Sequence, residues 1–269
     1  MITRTVTRRR SEGERGFTLI ELLIAIAIAS LVATAIVRIF QGSMAQVSHA
    51  TSLQDAQSAV RVGLDQMATE LRQIGSYWNG ASGAGNAITT ATPSTITFMA
   101  DIDSDTVTGT TETTLSAASG VTTLTVSANA SAFNTYTPSS LNDYVYVANG
   151  STREVRQVTS VNATTSIVTL ASALTYSYPI GSMVRSVEQV NYTFNSTAKT
   201  LTRTVGGAAS DTVLDNVTAL TFSYFDSSGN ALLATPADPS VIREIKISMT
   251  TQGTGGDLRT MASRVRLRN

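Results

Sequence analysis

Hydrophobic residues are arranged along this chain in three different ways. From Phe17 to Val37 they form one run of twenty-one residues whose single ionisable group is Glu21. A helix of that length rises about 30 Å, the thickness of a bilayer's hydrocarbon core. From Leu53 to Ile74 they recur at three- and four-residue steps, at Leu53, Ala56, Val60, Leu64, Met67, Leu71 and Ile74. Asp55, Arg61, Asp65, Glu70 and Arg72 fall mostly elsewhere on the helix, so this spacing predicts one buried stripe. No proline precedes Pro93, and the two patterns therefore join into one helix from about Phe17 to Ile74, about 85 Å long if unbroken. Gly42 and Gly63 are its weak points. Gly42 lies just beyond the apolar run with no stripe to support it and is the expected bend, while Gly75 is placed to cap the C-terminus.

The third arrangement fills the rest of the chain. Residues Ala81 to Thr92 are rich in Gly, Ala, Thr and Asn and read as a loop. After them come short β-prone runs separated by turn residues: Thr95–Met99, Val121–Ser127, Asp143–Val147, Glu154–Val161, Ser166–Leu170 and Met183–Phe194. Thr200–Val205, Val217–Tyr224, Ile242–Thr250 and Ala262–Leu267 follow. Ile245, Ile247 and Met249 alternate with polar residues and share one face. The pattern predicts an α+β fold, a long N-terminal helix packed through its second half on an antiparallel sheet. The stretch from Ala117 to Met183, dense in Thr, Ser and Val, reads as an inserted β-subdomain. The division expected is 1–16 basic N-terminal segment, 17–40 membrane helix, 41–75 amphipathic helix, 76–116 loop and first β region, 117–185 insert, and 186–269 C-terminal sheet.

Charge and composition narrow the functions. Nineteen basic and nineteen acidic residues give a net charge of zero, but the first sixteen residues carry five Arg against two Glu, leaving the remainder at −3. A mildly acidic body does not bind nucleic acid through general charge. The absence of Cys excludes disulfides, thiol nucleophiles and Cys-ligated zinc. One histidine, His49, excludes multi-His zinc sites; it lies among Ser48, Thr51 and Ser52 on the helix and reads as a solvated or interface position. These exclusions point away from an enzyme. About one residue in six is Thr, which suits sheet with polar faces.

The basic flank precedes the apolar run, so the positive-inside rule keeps the N-terminus cytoplasmic and sends the remainder outward. A secretory signal peptide fits poorly, because the run is longer than an h-region and no small-x-small cleavage site closes it. A plain membrane anchor leaves Glu21 unexplained, since an acid in an apolar membrane segment is rarely without a partner or function. A first-turn Glu favoured by the helix dipole is the bland alternative.

Around it, Gly16-Phe17-Thr18-Leu19-Ile20-Glu21 resembles the class III signal of type IV prepilins and type II secretion pseudopilins: a short basic leader ending in Gly, then Phe, three residues, Glu and a long apolar helix. The resemblance implies cleavage by a prepilin peptidase between Gly16 and Phe17 and N-methylation of Phe17. It also implies that Glu21 neutralises the N-terminal amine of a neighbouring subunit. Two opposite charges entering an apolar core cost far less paired than alone. Val190-Asn191-Tyr192-Thr193-Phe194, Leu201-Thr202-Arg203 and Leu214 to Tyr224 resemble the core strands of PilW-type minor pilins, to which J-type pseudopilins are related; the helix end from Leu64 to Gly75 is similar. The expectation is a minor pilin working in pilus assembly or initiation, held in the inner membrane by one pass before it joins other pilins at the cell surface. The alternatives are a type II secretion pseudopilin and, from another class, a membrane-anchored adhesin or binding module.

Asp101, Asp103, Asp105 and Glu112 have the spacing of positions one, three, five and twelve of a calcium loop, and acidic loops of this kind occur at this place in PilW-like proteins. Position six is Thr106 where the sharp turn asks for Gly, and the flanks are β-prone. Calcium and an exposed polar hairpin are both open; no other cofactor is expected. Arg264, Arg266 and Arg268 alternate on one strand face, as a solvated edge that discourages strand addition or as a surface for an acidic partner.

Overall fold

A computed structural model describes residues 18–75, 87–100, 102, 111–127, 144–150, 152–206, 209–252 and 256–267. One α-helix, α1, runs from Leu19 to Gln73 and includes both Gly42 and Gly63. It ends as the sequence predicts, with Gly75 in the left-handed region at φ 68°, the conformation a glycine C-cap adopts without steric cost. The chain separates into two units, residues 1–51 and 52–269.

Among the described residues of the second unit, thirteen strands follow: β1 (Ile88–Ala91), β2 (Thr95–Ala100), β3 (Thr111–Glu112), β4 (Thr123–Thr125), β5 (Tyr144–Asn149), β6 (Thr152–Asn162) and β7 (Ile167–Leu170). The rest are β8 (Met183–Asn195), β9 (Thr200–Val205), β10 (Asp211–Leu214), β11 (Val217–Phe225), β12 (Glu244–Gln252) and β13 (Leu258–Arg266). All pairings are antiparallel. The α+β architecture holds: a long N-terminal helix and a large antiparallel β domain.

β8 organises the larger sheet. Its first five residues pair with β5, and Glu188 to Thr193 pair with β2. Val190 to Asn195 pair with β9, and Met183–Val184 with β3. One thirteen-residue strand thus carries two groups of strands end to end. β11, β12 and β13 form a separate three-stranded sheet.

Hydrophobic burial follows the same division. The principal core joins Val60, Leu64, Met67, Leu71 and Ile74 of the helix region to Ile96 and Phe98 of β2, Val190 and Tyr192 of β8, and the inward residues of β11 and β12. Ile245, Ile247 and Met249 are fully buried, as their alternation predicts. A second core, with no helix, gathers Leu124, Val145, Val147, Val158, Val168 and Val184. Tyr146, Ala148 and Val187 form a small cluster of their own. β5 therefore buries both faces, which is why its run carries no polar alternation.

Gly63 has a tertiary role beside its low helix propensity. It is part of the buried stripe, and a Cβ built there would lie 2.5 Å from Leu214 Cδ1, so the missing side chain is the notch into which β10 presses. A groove of about 390 Å³ opens beside it, lined by Ala59, Val62, Val213 and Leu214 with Asp55 and Gln66 among its polar residues. The reading of 81–92 as loop fails in part, because Ile88–Ala91 pairs with β2. β3 and β10 were not read either. Each of the three is at most four residues, with too little alternation to register, and takes its conformation from a longer neighbour.

Candidate functional site: the head of the N-terminal helix

Thr18 immediately precedes α1, and Glu21 sits in its first turn. The Thr18 N–H and hydroxyl both donate to Glu21 Oε2 at 2.9 Å, and the Glu21 N–H donates back to the Thr18 hydroxyl at 3.3 Å. This is a reciprocal capping box, with Thr at the N-cap and Glu three residues on, so that two first-turn donors find acceptors within the same chain. Thr-x-x-Glu before an apolar run is the sequence signature of this motif, a local partner for Glu21 that its charge alone does not disclose.

From this cap the helix presents apolar side chains on every side: Leu19, Ile20, Leu23, Ile26, Leu31 and Phe40 are all more than half exposed. A helix apolar all round and unburied is stable in lipid rather than in water. Among the described residues, α1 is long and apolar enough to cross a membrane.

Residues 13–37 match the prokaryotic N-terminal methylation motif. The N-terminus carries a methylation motif. That match and the apolar helix fit a type IV pilin-like or pseudopilin-type protein, anchored in a membrane by a single pass. No curated protein and no solved structure matches the chain.

The matched segment contains Gly16, Phe17 and Glu21. Gly16 and Phe17 lie outside the described residues, as do Asp101, Asp103 and Asp105. Of Glu112 only the backbone is placed, in β3 opposite Met183. Among the described residues no group of three or more His, Asp or Glu side chains is arranged to hold a metal. Ile102, within the acidic stretch, donates its N–H to Oε2 of the buried Glu188 at 2.9 Å. His49 lies half-buried within α1. Arg264 pairs with Glu244 at 2.8 Å and lies 4.7 Å from the ring centroid of Phe225; Arg266 is exposed and Arg268 is outside the described residues.

Two acid-centred arrangements were not visible in the sequence. Glu70 of α1 accepts from the Tyr192 hydroxyl at 2.7 Å and from Arg203 Nε at 3.0 Å, with Arg203 Nη2 3.0 Å from its other oxygen. It fastens the helix to β8 and β9. Burial, then the Glu70 charge, push the Tyr192 phenol well above the ordinary tyrosine range. Buried Glu154 accepts from the N–H groups of Thr175 and Tyr176 and pairs with Arg156, fixing the turn after β7. Both arrangements are structural, since every polar group named is bonded to another part of the fold.

Proposed function

We propose that the chain is a minor pilin of the PilW type, a structural subunit and not an enzyme, that takes part in assembling or initiating a type IV pilus. The single observation carrying this reading is the methylation motif at residues 13–37 running into an apolar, unburied helix. On this reading residues 1–16 are a leader, a prepilin peptidase cuts after Gly16, and Phe17 becomes the methylated N-terminus. The leader's basic residues stay cytoplasmic and the β domain lies outside the inner membrane until the subunit enters the pilus. Residues 117–185 form an insert in the head, joined to it through β8.

Glu21 has two successive partners in this scheme. In the membrane-held subunit it is satisfied by Thr18, so its carboxylate enters the apolar layer already hydrogen-bonded. In the filament it neutralises the Phe17 amine of a neighbour, and the gain over the capping box is the ionic part of that contact. A type II secretion pseudopilin shares the same motif and the same helix, and deletion of the chain separates the two: loss of surface filaments supports the pilus, loss of secretion alone the pseudopilus.

The first test is the mass of the N-terminal peptide from cells containing a prepilin peptidase. A peptide starting at Phe17 with one added methyl is expected. An intact leader in such cells overturns the reading.

A further inference from the structure

The edges of the two sheets are treated unequally. In the ten-stranded sheet each edge is short or irregular: β1 has four residues and a register shift between Ile88 and Thr90, and β10 has four with a shift between Thr212 and Leu214. β4 has three residues. In the smaller sheet the outer side of β11 is already engaged. The Val217 N–H donates to the Lys199 carbonyl and the Phe222 N–H to the Pro93 carbonyl, both at 2.9 Å, and the Tyr224 carbonyl accepts from Leu232 N–H at 2.8 Å.

β13 is the exception. It pairs with β12 from Leu258 to Arg266 through nine successive residue pairs with no shift of register, and it contains no proline. Among the described residues no strand pairs with its other side. Proteins ordinarily shorten, bend or cover an edge of this kind, because a row of unpaired N–H and C=O groups is a template for another strand. This fold does so at its other edges and leaves this one long and regular.

The side chains on β13 state what can add there. On the face away from the core they run Leu258, Thr260, Ala262, Arg264, Arg266, from apolar to cationic, with Leu258 and both arginines exposed. Arg259, on the opposite face, is exposed as well. The neighbouring Lys246 on β12 adds a further positive charge, against Glu244, which Arg264 already holds, and Asp257 at the strand's start. Arginines repel a basic strand and attract an acidic one, so the charges select a partner for the edge instead of closing it. The gradient also sets which end of the added strand meets the arginines, since carboxylates belong at one end and an apolar side chain at the other, and every strand pairing among the described residues is antiparallel.

We propose that the open edge of β13 receives an extended, acid-bearing strand from another protein. It adds antiparallel, with carboxylates opposite Arg264 and Arg266 and an apolar side chain opposite Leu258. The inference concerns the β domain alone and does not depend on processing at Gly16.

The test uses the full chain in detergent micelles and a synthetic nine-residue peptide, Glu-Thr-Glu-Thr-Val-Thr-Thr-Thr-Val, whose first and third residues would face Arg266 and Arg264. A second peptide carries Lys in place of both Glu. Amide hydrogen exchange is followed over residues 258–266 during titration. The acidic peptide is expected to protect these amides, leaving β1 and β10 unchanged, and to bind about tenfold more tightly than the Lys peptide. Arg266→Glu should reverse the preference, and Arg266→Gln, which removes the charge without adding an acid, should bring the two affinities together. Absence of added protection at β13, or equal protection by both peptides, overturns the proposal. Protection that rises with protein concentration in the absence of peptide also overturns it, by assigning the edge to a second copy of this chain.

Discussion

The two halves of α1 are written in the same helical alphabet and follow different rules. Between Leu19 and Phe40 the helix is apolar all round and its side chains are exposed; between Val60 and Leu71 it is apolar on one stripe, and that stripe is buried. Each half carries an acid that matters. Glu21 is exposed and bonded to the residue that starts its own helix, whereas Glu70 is bonded to two strands far away in sequence. The first half thus completes itself locally and leaves its surface to an external apolar phase, while the second takes its stability from the sheet. A helix can therefore be continuous in backbone and discontinuous in what solvates it.

Substitution of one leucine in each half should expose this difference most strongly. Leu71 is fully buried in the principal core, and Leu71→Ala should destabilise the β domain by about 3 kcal/mol through lost contact and an unfilled cavity. Leu31 is 72% exposed, and Leu31→Ala should change the same unfolding transition by less than about 0.5 kcal/mol. Denaturant unfolding of the full chain in micelles, followed by near-ultraviolet circular dichroism, measures both. Equal effects would mean that the two halves share one cooperative core.

The acid on the second half gives the next largest effect. Glu70 and Arg203 have side chains only 12% and 13% exposed, so Glu70→Gln should cost about 2 kcal/mol, less than a fully buried pair. The combination with Arg203→Met should cost less than the sum of the single changes, because each removes the same contact. The same site makes the domain sensitive to base. Burial raises the Tyr192 phenol above its unfolded value, and burial raises Tyr224 likewise. An unfolded tyrosine ionises near pH 10 while the folded ones stay neutral, so stability is intact below about pH 10 and is lost progressively above it. A melting temperature that falls between about pH 10 and 11, with a shallower fall in Tyr192→Phe, is the expected result.

These effects also separate what the chain's sequence disclosed from what it concealed. Leu64, Met67, Leu71 and Ile245, Ile247, Met249 were legible because a single period, 3.6 or 2, places them on one face. The bounds of β9, Thr200–Val205, were legible because turn residues flank a short β-prone run. The Glu70–Tyr192–Arg203 contact was not, because residues 122 and 133 positions from Glu70 meet it only after the sheet has formed. At the helix head the reverse happened: Thr18 and Glu21 are three apart and local rules suffice, yet the charge of Glu21 drew attention from its hydrogen bond. Gly63 was legible in part. Helix propensity counts glycine as a loss, and the close approach of Leu214 that justifies it is a tertiary fact.

Gly63 offers a finer test because two opposing terms nearly balance there. Gly63→Ala gains about 1 kcal/mol of helix propensity but sets a methyl 2.5 Å from the end of the Leu214 side chain. Overpacking of this kind costs about 1–3 kcal/mol, and Leu214 can turn part of the way aside, so the net change should be a loss of about 1 kcal/mol. Gly63→Val adds bulk without comparable propensity and should lose about 2–3 kcal/mol. Combining either with Leu214→Ala should recover part of the loss, as both remove the same clash. The same glycine-to-alanine change at Gly42, which meets nothing within 4 Å, carries only the propensity gain and should stabilise the helix.

The smallest effect belongs to the capping box, and it is the one that shows whether the first half completes itself. Thr18→Val keeps the shape of the side chain but removes the hydroxyl that bonds the Glu21 amide and carboxylate. Losing an N-cap should raise amide exchange in the first turn about fivefold and leave the β domain's unfolding unchanged. Glu21→Gln retains an acceptor and a donor in the same place, so it should disturb the cap much less, while removing the charge that assembly is proposed to use. The two variants therefore divide the roles of one residue. If Thr18→Val loosens the helix head yet filaments still form, and Glu21→Gln keeps the head intact yet stops them, the carboxylate serves its own helix before assembly and a neighbour afterwards. If both variants loosen the head equally and both still assemble, Glu21 is a capping residue and nothing more.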